Sequence, residues 1–132
     1  DGQTAADSVM SAGRAYVRVR PLNAHSREAS EPTALRALSS TQIAVRTGAI
    51  AHAGGGTFEA DGVLVNAEQA DVWRDIGEPL VDGALIGRSG CVMAVGPSGG
   101  GKGFTLGGTE EAPGLAPRLL HALCSRTAER PG

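Results

Sequence analysis

The sequence predicts an α/β fold that contains a buried parallel strand, and three patterns support this prediction. Residues Ala15 to Asn23, "AYVRVRPLN", alternate polar and apolar side chains with the period of two that is typical of a strand. Residues Gly90 to Gly96, "GCVMAVG", form a continuous apolar run, which is typical of a parallel strand covered on both faces. Apolar residues at helical spacing lie between Asn66 and Gly87, so strand and helix alternate along the chain.

Length and composition allow one domain with a small core. The chain has 132 residues, which is the scale of one domain. It contains 20 glycines and only four aromatic residues, although aromatic side chains supply much of the buried area of ordinary domains. We therefore expect low stability. Residues 1–13 are small and polar without periodicity, and we expect them to be a disordered lead-in to a domain over residues 14–132.

Charge and cysteine content exclude several classes of function. The net charge of −2 and the pI near 5.9 favour neither nucleic acid nor an anionic membrane as a partner. No apolar stretch approaches the roughly 20 residues that span a bilayer, and the polar start does not resemble a signal peptide. The spacing of Cys91 and Cys124 matches neither a disulfide framework nor a zinc site, which favours a reduced, intracellular setting. Because the sequence opens on Asp1 and closes on "ERPG", we expect a piece of a longer protein.

The first half of the chain predicts little regular structure beyond its first strand, which Pro21 ends. Residues 24–40 are polar and broken at Pro32, so we expect a loop with at most one helical turn. Residues Thr41 to Thr47 predict a second strand, and the glycine-rich residues 51–57 predict a flexible turn. Residues 58–65 are apolar but interrupted by Gly62, which leaves their structure open.

The second half predicts helices on both sides of the apolar run. Asn66 and Gln69 have the spacing of an N-cap and its partner, and we expect Pro79 to bend the helix that follows rather than end it. A short helix is expected from Lys102 to the break at "GGTEEAPG", and a final helix over residues 115–129.

A glycine loop, "GPSGGGKG", separates the apolar run from the short helix. It satisfies G-x-x-x-x-G-K at Gly96, Gly101 and Lys102, but Gly103 stands where the phosphate-binding pattern has Ser or Thr. The order strand, glycine loop, helix lets backbone N–H groups converge on an anion, and Lys102 would contact terminal phosphates. In a chain so rich in glycine, this incomplete pattern is weak alone.

Four stretches in the same order make the sequence resemble the kinesin motor domain from Ala15 to about Arg126. They are "VRVRPLN", "FEADGVLVNAEQADVW", "PLVDGALIGRSGCVMAVGPSGGGKGFTLGG" and "GLAPR". The resemblance implies a P-loop NTPase-like α/β fold with a mainly parallel central sheet flanked by helices, present here only as the N-terminal portion of the motor domain.

The resemblance also implies a nucleotide site. Arg18, Arg20 and Pro21 fall on the family's adenine-contacting R-x-R-P, and Phe104 falls on the aromatic position that closes the other side of the base. The implied phosphate cradle comprises Gly96, Pro97, Ser98, Gly99, Gly100, Gly101, Lys102 and Gly103. From the residues alone, the solvent face of an edge strand is favoured for Arg18 and Arg20, and Phe104 equally fits a buried core position.

Departures from the family pattern limit the implied activity. Gly103 replaces the threonine whose hydroxyl holds Mg²⁺, so we expect weak ATP or ADP binding that depends little on the metal. The family's switch motifs, N-x-x-S-S-R-S-H and D-x-A-G-x-E, do not occur in the sequence. We therefore expect no catalytic residues and no meaningful ATPase activity from this chain alone.

For the complete parent protein, the resemblance implies ATP-driven movement on microtubules in the cytoplasm, with tubulin as the partner and neither nucleic acid nor membrane. Two alternatives stay open: a non-catalytic module derived from the kinesin fold that binds no nucleotide, and an unrelated small P-loop protein that binds another phosphorylated ligand.

Other chemistries have little support in the sequence. The three histidines, His25, His52 and His121, are scattered, so no metal site is expected. Residues 96–100 match the hydrolase pattern G-x-S-x-G around Ser98, but only His121 follows as a possible base.

Overall fold

The computed structural model describes residues 13–22, 33–46 and 54–129. Contacts divide these residues between two compact units. The first unit contains residues 13–17, 34–46 and 54–63, and the second contains residues 18–22, 33 and 64–129. The predicted lead-in lies outside the described residues except for Gly13, and so do most of the predicted loop over residues 24–40 and two of the histidines, His25 and His52.

Two strands pair in parallel. Strand β1 is Tyr16–Val19, which confirms the first predicted strand, and its partner β5 is Gly62–Val65. In the first unit, the carbonyl of Ala15 accepts a hydrogen bond from the N–H of Asp61. In the second unit, the carbonyl of Val19 accepts one from the N–H of Asn66. From the first bond to the second, the position moves toward the C-terminus on both strands, so the two strands run in the same direction, as in a parallel pair.

The first unit also contains a three-stranded antiparallel sheet. Strands β2 (Leu35–Ala37), β3 (Gln42–Val45) and β4 (Gly56–Glu59) lie in the order β2, β3, β4. Ile43 of β3 pairs with Phe58 of β4 and is buried. The predicted strand over residues 41–47 is confirmed. The predictions of a loop at residues 35–37 and of a turn at residues 56 and 57 were wrong, because pairing with β3 makes both segments strands.

The second unit is built around helices. Helix α1 (Gln69–Val72), a π-helical segment (Trp73–Gly77) and helix α2 (Glu78–Leu85) follow one another without a break. Helix α3 is Lys102–Leu106 and helix α4 is Leu115–Ala128, close to the predicted bounds. Val72, Val81 and Leu115 form the buried apolar core. Among the described residues, no helix is both long and apolar enough to span a bilayer.

Pro79 modifies the helix without ending it, as predicted. A proline within a helix lacks the N–H that the ladder needs, and its ring collides with the carbonyl four residues earlier. The π-helical turn at Trp73–Gly77 lies directly before this position and widens the ladder there. Gly77 is buried against the indole of Trp73, where a Cβ atom would overlap the ring.

The helix begins differently from the prediction. Its N-cap is Glu68, whose carboxylate and that of Asp71 form a reciprocal capping box. Asn66 lies outside the helix with a φ of 51°, and Gln69 points into the interior instead of capping. A carboxylate at the N-cap position accepts the same backbone N–H bonds as an asparagine, so spacing alone did not distinguish the two starts.

The apolar run before the glycine loop is not a strand. Residues 91–96 belong to no sheet, and Met93 and Val95 are 79% and 85% exposed. The prediction of a buried parallel strand at residues 90–96 was therefore wrong. A strand buried on both faces needs neighbouring strands to bond its backbone, and no described strand of this chain pairs with it.

Candidate functional site

The glycine loop has a backbone that only glycine adopts without strain. Gly99 and Gly101 have φ values of 73° and 92°, in the left-handed region that side chains disfavour. The N–H of Gly100 donates to the carbonyl of Pro97 at 3.1 Å and closes a turn inside the loop. Four consecutive residues of the loop, Gly96, Pro97, Ser98 and Gly99, are exposed to solvent. The loop is thus a tight, open turn ahead of α3.

Lys102 folds back over this loop. Its Nζ donates to the carbonyl of Gly96 and to that of Pro97, each at 2.7 Å. Lys102 is the first residue of α3 and the only lysine in the sequence. Because both carbonyls belong to the loop, the ammonium group lies where the loop curves around it. The charge is therefore held at the loop by two neutral acceptors, which an anion can replace.

Gly103 leaves room for the side chain that the family pattern has there. A Cβ atom at this position would meet no atom within 4 Å, and the backbone φ is not in the left-handed region. Crowding therefore does not explain the glycine. A hydroxyl at this position is the group that holds Mg²⁺ in phosphate-binding loops, so the described loop lacks its usual metal ligand.

Arg18 is half-buried and makes three hydrogen bonds in the second unit. Its Nη1 donates to Oε1 of Gln69 at 2.8 Å and to Oγ1 of Thr105 at 3.0 Å, and its Nη2 donates to the carbonyl of Ala67 at 2.8 Å. Burial lowers the pKa of Arg18, and the nearby Asp71 carboxylate opposes this shift. The half-buried guanidinium belongs to a hydrogen-bond network, so the solvent-face interpretation of Arg18 was wrong.

Phe104 lies against Arg18 and remains partly open to solvent. The guanidinium carbon of Arg18 is 5.4 Å from the centroid of the ring, within the range of a cation–π contact. The ring is 43% exposed, so the interpretation of Phe104 as a buried core aromatic was wrong. One face is covered by Arg18, and other parts of the ring are accessible.

Arg20, which Pro21 follows in the chain, lies beside the glycine loop in the second unit. The Cδ of Arg20 would be 4.0 Å from a Cβ atom at Gly101, which sets the side chain beside the glycine loop. Its Nη1 donates to the carbonyl of Pro21 at 3.2 Å, and both residues are exposed. The structure therefore brings the R-x-R-P segment to the loop and to Phe104. That these residues contact a nucleotide stays a prediction.

Sequence reasoning missed two residues of this network, Gln69 and Thr105. Gln69 was assigned to a helix cap because of its spacing from Asn66. Its place in the "QADVW" stretch, which resembles the family's Q-x-x-V-[YF], was the available signal for a further role. Thr105 lies in "GKGFTLGG", which resembles the family's G-K-T-[YH]-T-M, and this match was its available signal. Among the described residues, no three His, Cys, Asp or Glu side chains gather as metal ligands would.

Known proteins match this chain along most of its length. The family described as the kinesin motor domain matches residues 18–131. Kinesin-like protein KIF11 of Xenopus tropicalis is 33% identical over 127 residues, and kinesin-related protein 7 of Dictyostelium discoideum is 30% identical over 111 residues. These matches cover 86% and 83% of the chain, but the chain spans only 12% and 8% of the two relatives.

A solved structure shares the fold. A structure of KIF14 with ADP, in complex with a microtubule, superposes with a TM-score of 0.75 at 26% identity. The match covers 89% of this chain and 34% of that one. The P-loop NTPase-like α/β fold is thereby confirmed as a partial one, with a small parallel sheet and flanking helices. With the family matched over residues 18–131, the chain belongs to the kinesin motor domain family.

Proposed function

We propose that this chain carries the adenine- and phosphate-contacting part of a kinesin ATP site and binds ATP and ADP weakly. The observation that carries the proposal is the convergence of three segments in the second unit. Arg20 lies beside Gly101, Lys102 spans the loop, and Phe104 presents a partly exposed ring. A stacking surface, a cation and a glycine loop are the parts that a nucleotide needs.

The phosphates bind through the loop and Lys102. The ammonium of Lys102 exchanges the carbonyls of Gly96 and Pro97 for phosphate oxygens, and a charge-assisted bond to an ionised oxygen is stronger than one to a neutral carbonyl. Gly103 supplies no hydroxyl for Mg²⁺. Affinity therefore comes mainly from the backbone and one lysine, and it depends little on the metal.

The base binds between Phe104 and the exposed pair Arg20 and Pro21. Arg18 is held by its own hydrogen bonds and covers one face of Phe104, so its part is to support the ring. Arg20 and Pro21 are exposed and can lie against the base. Stacking of a base on an aromatic or guanidinium plane contributes about 1–3 kcal/mol in nucleic-acid sites.

Hydrolysis is not expected from this chain alone. Phosphoryl transfer needs a positioned metal and an oriented water, and each such part contributes orders of magnitude in rate. The sequence contains neither switch motif, and Gly103 removes the metal-binding hydroxyl. The site thus binds without turnover, and no residue is assigned a catalytic role.

In the complete parent protein, this site serves ATP-driven movement on microtubules, and the protein is associated with the cytoskeleton in the cytoplasm. Family membership supports this, as does the similarity to KIF14, whose structure is described as bound to ADP and a microtubule. Tubulin is the partner in this proposal, and neither nucleic acid nor a membrane is involved.

The only lysine makes a direct test possible. An amine-reactive acylating reagent modifies Lys102 and the α-amino group, and peptide mass spectrometry separates the two products. We expect ADP and ATP to slow acylation of Lys102, while the α-amino group serves as an internal control. Equal acylation rates with and without nucleotide would contradict a site at the loop.

The alternative, a non-catalytic module that binds no nucleotide, has one observation in its favour. Lys102 is already satisfied by the carbonyls of Gly96 and Pro97, so the loop is stable by itself. The same acylation experiment separates the two functions, because the alternative predicts no protection by any nucleotide at millimolar concentration.

A further inference from the structure

Gln69 is the buried polar residue of the described chain. Only 5% of its surface is exposed, and both ends of its carboxamide are bonded. Oε1 accepts from Arg18 at 2.8 Å, and Nε2 donates to the carbonyl of Phe104 at 2.6 Å and to that of Ala112 at 3.3 Å. One side chain on α1 thus joins β1, α3 and the segment that follows α3.

The orientation of this amide is determined by its partners. A guanidinium only donates hydrogen bonds, so the oxygen of Gln69 must face Arg18. A backbone carbonyl only accepts, so the amide nitrogen must face Phe104. No other side chain of this length offers an acceptor and two donors on one planar group. Glutamate keeps only the acceptor, and methionine keeps neither.

Phe104 is therefore held twice through the same amide. Gln69 bonds its backbone carbonyl directly, and Gln69 also holds Arg18, whose guanidinium lies over the ring. Arg18 bonds Thr105 as well, the next residue of α3. Moving the amide would shift both the backbone and the ring contact of Phe104.

We propose that Gln69 is a positioning residue for the base-contacting ring of Phe104, although it is itself buried and bonds only the backbone of Phe104. This inference rests on the proposed function, because Phe104 is there the group that contacts adenine. The inference separates two parts of nucleotide affinity. Binding of the base depends on Gln69, whereas binding of the phosphates by Lys102 does not, because Lys102 bonds only the loop carbonyls.

The first test compares ADP with pyrophosphate, which lacks the base. We expect Gln69→Met to weaken ADP binding about tenfold, in line with the loss of one good stacking contact, and to leave pyrophosphate binding unchanged. The matched control is Gln42→Met in the first unit, where the amide nitrogen bonds Glu59 on the sheet surface, and it should change neither affinity. Equal weakening of both ligands would mean general destabilisation and would overturn the inference.

A second variant keeps the inference testable if Gln69→Met does not fold. Gln69→Glu keeps the acceptor for Arg18 and removes only the donors to Phe104 and Ala112. We expect it to weaken ADP binding and spare pyrophosphate as well. An unchanged ADP affinity in this variant, with native circular dichroism, would overturn the inference too.

A measurement without nucleotide distinguishes failure of the inference from failure of the proposed function. In nuclear magnetic resonance spectra of the free protein, the ring of Phe104 should shift the guanidinium signals of Arg18, and hydrogen bonding should slow their exchange with water. We expect Gln69→Met, but not Gln42→Met, to abolish both effects. If the signals do not change, Gln69 does not position this pair. If they change but the unaltered chain binds no ADP, the proposed function is wrong and the positioning of Phe104 stands.

Discussion

The guanidinium of Arg18 lies over the ring of Phe104, with its central carbon 5.4 Å from the ring centroid. Eighty-six positions separate the two residues in sequence, so the contact joins the first strand to the helix after the glycine loop. The same guanidinium also bonds Gln69, Thr105 and the backbone of Ala67. Arg18 thus links β1 to α1, to the residues just before α1, and to α3.

Replacing Arg18 should destabilise the protein even if the charge is kept. Arg18→Lys preserves the positive charge but removes the planar fork that reaches Gln69, Thr105 and Ala67 together. Leaving a buried acceptor without its donor costs about 1–3 kcal/mol, so we expect a loss of that size in chemical denaturation. The control Arg74→Lys, in an exposed ion pair with Asp71 and Asp75, should change stability little. Equal stability of Arg18→Lys and the unaltered chain would contradict this role.

Two glycines of the helical segment should respond oppositely to alanine. At Gly77 a methyl group would overlap the indole of Trp73, whereas at Gly83 its nearest neighbour would be Arg88 at 3.8 Å, an ordinary contact. Gly83→Ala should therefore stabilise the helix by up to about 1 kcal/mol, because alanine is the better helix former. Gly77→Ala should destabilise it. Thermal unfolding followed by circular dichroism measures both, and a stabilising Gly77→Ala would show that Trp73 moves freely.

Restoring the hydroxyl at Gly103 should create metal dependence. Space exists for a side chain there, so Gly103→Thr should fold and give Mg²⁺ a ligand next to the phosphates. A bond to a charged group contributes about 1.5–3 kcal/mol, which corresponds to at least about a tenfold gain in ADP affinity when Mg²⁺ is added. Gly103→Val has the same shape without the hydroxyl and should show no gain. A gain in both variants would assign the effect to helix formation instead.

The exposed run before the glycine loop should make the isolated chain self-associate. Met93 and Val95 are largely exposed, and no backbone N–H of residues 91–95 donates a hydrogen bond within the described part of the chain. An uncharged, apolar segment whose backbone N–H groups are unbonded is a template for pairing with another chain. We expect light scattering to detect oligomers, and Val95→Lys to reduce them. Leu120→Lys, at an exposed position of helix α4, should not reduce them, and an equal effect would indicate general hydrophobic association.

Local patterns predicted the elements that have a clear periodicity. The period of two in "YVRV" predicted β1, and helical spacing predicted the helix from Gln69 to Leu85 and helix α4. Pro79 was predicted to bend rather than end a helix, and helix α2 continues past it after a π-helical turn that ends at Gly77. In these segments, the alternation or the helical spacing of adjacent residues is itself the signal, so the sequence displays it directly.

The predictions failed where pairing with a second segment decides the structure. Leu35 to Ala37 form a strand because Gln42 to Val45 pair with them. Residues 91–96 form no strand because no described strand pairs with them. In the site, the resemblance identified Arg18 and Phe104. It did not predict that Arg18 supports the ring of Phe104 from within the fold. That role depends on Gln69, whose partners lie at least 35 positions away in the chain.

Titration calorimetry with ADP, in the presence of Mg²⁺ and then of a chelator, tests the central claim most directly. Because the loop and Lys102 are present and the hydroxyl at Gly103 is not, we expect weak binding that changes little when the metal is removed. Tight binding that disappears on chelation would show that another group holds Mg²⁺ and would contradict the interpretation of Gly103. Complete absence of binding under both conditions would contradict the nucleotide site itself.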